Sequence, residues 1–125
     1  MGSEPSDRYY MHLPVWSEGN VYFNGAKAWK KEKNSIVDTK NDVKISVEEK
    51  DGKWTIKTNL YDVLPEMKAA TISTETLGMA FEPEQMFENP NGSPIVFDTD
   101  FFGTHRNINP TVGPFENGNS EIAIN

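Results

Sequence analysis

The chain has 125 residues and a mass of 14.1 kDa, with 36% apolar and 25% charged side chains, a size that fits one domain and leaves little room for two. Twelve Lys and Arg stand against nineteen Asp and Glu, giving a net charge of −7 and arguing against a general nucleic-acid binder, which needs a basic face to replace phosphate counterions. Zero cysteines exclude disulfide scaffolds, thiol catalysis and cysteine-rich zinc sites, and no apolar run reaches the roughly 18–20 residues of a membrane-spanning helix.

Residues 1–7, Met1-Gly2-Ser3-Glu4-Pro5-Ser6-Asp7, lack the apolar centre of a signal peptide and read as an expression scar or linker ahead of a single β domain over 8–116. Tyr9–Trp16 and Asn20–Asn24 are rich in aromatic and β-branched residues and read as strands, separated by the turn signal Ser17-Glu18-Gly19. Residues 27–57 then carry nine lysines against six acids. Two readings stand for this segment: lysines guarding the edge of a solvated strand pair, or a weakly basic face for an anionic ligand such as a uronate polysaccharide. Trp29, in Lys27-Ala28-Trp29-Lys30-Lys31, has charges on both sides and no strand pattern. If exposed, it is a flat platform flanked by Lys30 and Lys31.

The clearest local signal is a hairpin. In Val43-Lys44-Ile45-Ser46-Val47-Glu48-Glu49 and in Trp54-Thr55-Ile56-Lys57-Thr58-Asn59-Leu60, apolar and polar residues alternate at the strand period of two. Asp51-Gly52 between them tolerates the positive φ angles of a two-residue turn. Closing the turn with Lys50 opposite Lys53 sets Val47 against Ile56, Ile45 against Thr58 and Val43 against Leu60, so turn chemistry and hydrophobic register agree. Trp54 shares a face with Ile56 and Leu60 and belongs to the core or its rim.

Beyond the hairpin, single helical turns are expected near Leu64–Ala69, with Pro65 in the first turn, and near Pro83–Phe87. Ile95-Val96-Phe97 and Phe101-Phe102 read as short strands after the punctuation Asn89-Pro90-Asn91-Gly92-Ser93-Pro94. From Asn117 onward the chain reads as a flexible tail. No segment keeps a helical apolar period. The expected class is all-β: a compact, antiparallel, sandwich-like module with long loops and at most short helical turns.

Complete catalytic constellations are missing from the sequence. There is no Gly-x-Ser-x-Gly elbow and no Gly-rich phosphate loop, and only His12 and His105 could serve as a triad base. His12 lies inside an apparent strand and reads as structural. The densest polar stretch is Asp98-Thr99-Asp100-Phe101-Phe102-Gly103-Thr104-His105-Arg106. Two carboxylates two residues apart in an extended chain point the same way. Asp98 and Asp100 are therefore candidates to share a calcium ion, or, with His105 and Arg106, to form the acid–base pair of a small glycoside hydrolase or polysaccharide lyase. The plainer alternative is that these acids cap a turn and pair with Arg106. Aromatic faces are the other candidates, since sugar rings dock on them through C–H contacts. Trp16, Trp29 and Phe101, with Lys30, Lys31 and Arg106 as polar partners, form the candidate carbohydrate-binding set.

Three phrases also carry a resemblance. Glu18-Gly19-Asn20-Val21-Tyr22-Phe23-Asn24-Gly25-Ala26 resembles an N-V-Y-(Y/F)-N-G-A phrase near the end of right-handed parallel β-helix proteins of the pectate-lyase-like superfamily. Phe97-Asp98-Thr99-Asp100-Phe101-Phe102-Gly103-Thr104-His105-Arg106 resembles their terminal D-(F/Y)-F-G-N-P/H-R phrase, and Val112-Gly113-Pro114-Phe115 the G-P-F that closes such chains. The Lys-rich hairpin departs from that pattern, and 125 residues are too few for a helix of many coils. The resemblance implies the C-terminal piece of a secreted bacterial carbohydrate-active protein, with any signal peptide upstream in the parent chain. Catalytic and calcium-binding residues of that family lie on central coils that have no counterpart here, so none is carried over. Asn20, Gly25, Asp100, Gly103 and Arg106 match turn and packing positions of the family pattern. The expectation is a non-catalytic module that needs no cofactor, caps its parent chain and has polysaccharide as its candidate ligand. A stand-alone enzyme and a protein-interaction module are the alternatives, the latter marked by a large exposed apolar patch.

Overall fold

Asp51 and Gly52 both adopt left-handed backbone, with φ of 54° and 75°, and close the tight turn between β3 (Ile45–Lys50) and β4 (Lys53–Thr58). These strands pair antiparallel with Lys50 opposite Lys53, Val47 opposite Ile56 and Ile45 opposite Thr58, the register that the alternation dictates. The last expected pair, Val43 with Leu60, does not form. There the Asn59 side chain replaces the backbone ladder: its Oδ1 accepts from Lys44 N and its Nδ2 donates to Asp42 O. Leu60 instead opens a helical turn.

The computed structural model of the chain describes residues 15–80 and 83–124. The strand expected over Tyr9–Trp16, with His12 in it, lies outside the described residues except at its end, and so does the terminal segment 1–7. Within the described residues, β1 (Val21–Tyr22) pairs in parallel with β2 (Ile36–Val37). Glu18 bridges Lys33 in the same parallel sense. The loop between β1 and β2 is held by Glu32, whose carboxylate accepts from Asn20 Nδ2 at 2.5 Å and from the Tyr22 hydroxyl at 2.6 Å. Asn24, with φ of 54°, uses its amide to donate to Val43 O and accept from Val43 N, tying the parallel pair to the start of β3.

Two four-residue helical turns follow the hairpin, α1 (Leu60–Val63) and α2 (Thr74–Leu77). Neither lies where a turn was expected. Pro65 ends α1 rather than starting a helix, because a residue that precedes proline is pushed to extended backbone; Leu64 accordingly has φ −66° and ψ 120°. At α2, Ser73 and Thr76 form a reciprocal capping box: Ser73 Oγ accepts from Thr76 N, and Thr76 Oγ1 accepts from Ser73 N. Ile95-Val96-Phe97 does run extended, with Val96 bridging Ser73.

The other two corrections concern the C-terminal quarter. Phe101-Phe102 is the tip of a hairpin turn, not a strand: Thr99 bridges His105, Asp100 N donates to Thr104 O, and Gly103 takes φ of 79°. The segment from Asn117, expected to be a flexible tail, supplies β5 (Glu121–Ile124), which pairs antiparallel with β4 and sets Ile122 opposite Ile56. The alternation Glu121-Ile122-Ala123-Ile124 is itself a strand pattern, short but sufficient once β4 offers an edge.

The architecture is therefore all-β with an antiparallel sheet in the order β3-β4-β5, a parallel pair, long loops and two short helical turns. Ile45, Val47, Ile56, Thr58 and Ile122 share one face of the sheet, and Ser46, Glu48, Lys57 and Glu121 the other, polar one, where Lys57 Nζ meets Glu48 at 2.8 Å. The apolar face is covered only on the β5 side: Ile122 is 6% exposed, whereas Ile45 is 64% exposed. Among the described residues the buried apolar side chains are Met67, Phe115 and Ile122. No helix among the described residues is long and apolar enough to cross a membrane.

Candidate functional site

Asp100 organises the hairpin tip through backbone donors. Its Oδ1 accepts from Phe102 N and Thr104 N, each at 2.9 Å, and its Oδ2 from Glu116 N at 2.9 Å. The bond from the Glu116 amide is the main reason its carboxyl lies below the usual aspartate range; burial works against it, and the Thr104 and Phe102 amides add to it. Asp98 has a different partner, the exposed His105, whose Nδ1 lies 3.5 Å from Asp98 Oδ2. The two aspartates expected to share a calcium ion are thus engaged separately, and both oxygens of Asp100 hold the loop. Among the described residues no group of three or more His, Asp or Glu side chains is disposed to hold a metal ion.

Arg106 does not pair with either aspartate. Its Nη1 donates to Thr111 O at 2.8 Å and to Glu116 Oε2 at 3.3 Å, and its Nη2 to Gly113 O at 2.8 Å. Glu116 is the centre of this knot, a residue that sequence reasoning passed over. Its Oε1 also accepts from the backbone and side chain of Asn107, and its Oε2 from Thr111 N. Burial pushes its carboxyl up, but those donors and the Arg106 charge outweigh it and leave the group below the usual glutamate range. Nothing local marks Glu116: its partners lie 5 to 10 residues away and meet it only when the loop closes. Asp98, Asp100, His105 and Arg106 consequently do not converge on one cleft. Asp100 lines a hollow of about 200 Å³ beside Phe102 and Phe115, and Arg106 lines another, of about 250 Å³, beside Phe97 and Val112.

The aromatic candidates are distributed differently. Phe101 is 64% exposed but stands edge-on to its neighbours, at 77° to Phe102 and 85° to the buried Phe115. It forms part of a three-ring cluster rather than a flat row. Trp29 is 42% exposed on the turn where Glu32 N donates to Trp29 O, with Lys30 and Lys31 exposed beside it. Trp16, 67% exposed, borders a groove of about 660 Å³ that runs between residues 16–20 and 68–72. Glu18, Asn20, Asn34 and Lys68 supply its polar groups, and Gly19, Ala69 and Ala70 its small ones. Of the candidate sugar-binding residues, Trp16 alone borders this groove. Asn34 is the partner the sequence concealed, brought to it by the parallel pairing of β1 with β2.

No family model and no curated protein matches the chain. A solved structure, the complex of XylC with xylose, shares its fold with a TM-score of 0.73 and 28% sequence identity. The match covers 88% of this chain and 18% of that chain, so the chain spans under a fifth of the length of its structural relative. The likeness relates this β-rich chain to a protein whose structure holds a sugar.

Proposed function

We propose that the chain is a non-catalytic β module of a larger extracellular, bacterial carbohydrate-active protein, where it caps the rest of the polypeptide and contacts polysaccharide. The observation that carries this reading is the fold shared with the xylose complex of XylC over 88% of the chain but only 18% of the other protein. The surface supports it. Exposed Ile45, Val47, Phe97 and Ile108 are what a piece leaves open when its neighbour is absent. The parallel pairing of Val21 with Ile36 and Tyr22 with Val37, closed by one loop of the same chain, supports the relation to right-handed parallel β-helix proteins. A non-catalytic role is supported by Asp100 and Arg106, whose polar atoms are committed to holding loops.

Affinity gel electrophoresis of the purified chain against xylan, pectin, alginate and a neutral glucan tests the binding half, with xylan expected to retard it. Incubation with xylan and xylooligosaccharides tests the other half, with no release of sugar expected. Turnover that vanishes in a Glu116-intact Asp98→Asn variant would overturn the non-catalytic reading.

A further inference from the structure

Building on that reading, which concerns carbohydrate contact in general, we propose that the groove between residues 16–20 and 68–72 is a binding site for a neutral xylose-type pyranoside. Its volume, about 660 Å³, suits a short oligosaccharide. At its mouth the exposed indole of Trp16 offers a flat apolar face to the C–H side of a pyranose ring. Along the same groove, two exposed asparagines are held by their amide nitrogens. Asn20 Nδ2 donates to Glu32 Oε1 at 2.5 Å, and Asn34 Nδ2 donates to Lys68 O at 2.7 Å. The amide oxygens of both carry no hydrogen bond among the described residues, which leaves two fixed acceptors for sugar hydroxyls. Gly19 keeps the wall thin, since a Cβ there would already touch the Cβ of Ala69 at 3.5 Å.

Charge selects the ligand class. Glu18 and Lys68 both line the groove and offset each other, so its lining carries no net charge and suits a neutral sugar. This separates the groove from Trp29, whose neighbours Lys30 and Lys31 favour an anion. The structural relative, solved with xylose, supplies the neutral pentose as the ligand chemistry to test.

Titration of the 125-residue chain with xylotetraose, followed by tryptophan fluorescence and by saturation-transfer NMR on the sugar, tests the site. Binding is expected to weaken about tenfold or more in Trp16→Ala and to return in Trp16→Tyr. Ala70→Trp, which sets an indole into the groove's lining, is expected to lose binding, whereas Trp29→Ala is expected to keep it. Xylotetraose binding undiminished in both Trp16→Ala and Ala70→Trp overturns the groove but leaves the chain a carbohydrate-contacting module. Retardation by pectin or alginate alone, with no response to xylotetraose, assigns the contact to a charged surface such as Trp29-Lys30-Lys31 and also overturns it. Absence of binding to any polysaccharide by a chain with a dispersed NMR spectrum overturns the groove and the binding half of the functional reading together.

Discussion

Arg106 Nη1 lies 3.3 Å from Glu116 Oε2, and the two side chains are 15% and 1% exposed. A pair this deep is held by its hydrogen bonds more than by its Coulomb energy: Glu116 receives Asn107 and Thr111 as well, and Arg106 caps two carbonyls. Removing one partner strands the others. Glu116→Ala is expected to destabilise the chain by about 3 kcal/mol in urea unfolding followed by circular dichroism. A change under about 0.5 kcal/mol would show that the knot contributes little.

Asp100 and Glu116 both have folded-state values below their unfolded ones. Their contribution to stability is therefore complete above the ordinary carboxylate range and is lost as the pH falls through the folded values. The urea midpoint is expected to stay level from neutral pH down to about 5 and to drop in more acidic buffer. Asp100→Asn should lower the midpoint at neutral pH and flatten the acid limb. An acid limb of the same depth in wild type and variant would assign the loss to other carboxylates.

Gly118 sits against the ring of Tyr61 in α1. A Cβ built on Gly118 overlaps that ring, so Gly118→Ala must displace either the Tyr61 side chain or the backbone around residue 118. Gly118→Ala is expected to cost about 2 kcal/mol or more by overpacking, and less in a Tyr61→Ala background. Equal costs in both backgrounds would place the strain in the backbone instead.

Deletion of residues 121–125 removes β5 and uncovers Ile56 and Thr58. Hydrogen exchange of the β4 amides is expected to accelerate strongly in the truncated chain, because those strands lose a ladder and Ile122 together. Unchanged protection of β4 would return this segment to the role of a dispensable tail.

Gly52→Ala places a Cβ at φ of 75° in open space, so only the backbone resists it, and the expected cost is about 1 kcal/mol by urea unfolding. A neutral result would mean that the register of β3 and β4 is held by side chains alone.

The hairpin was legible because its signals are local: turn residues that accept positive φ, and an alternation whose register the turn sets. The Asp100 turn was half legible, since a short acid before Phe-Phe-Gly marks a cap but not the distant amide of Glu116. Pro65 misled because proline fits both the first turn of a helix and the residue after one; the extended backbone it imposes on Leu64 decides which. Ser73 and Thr76 carry a capping signal that is independent of apolar periodicity.

By itself the sequence determined the all-β class and the β3–β4 register, since each follows from residue types and short spacings. Tertiary structure alone decided that β1 lies parallel to β2, that residues 121–124 become a strand, that Glu116 gathers Arg106, Asn107 and Thr111, and that Trp16 shares a groove with Asn34. Those contacts join residues that gain nothing from each other until loop closure has been made, and no local pattern records which of the possible closures the whole chain stabilises.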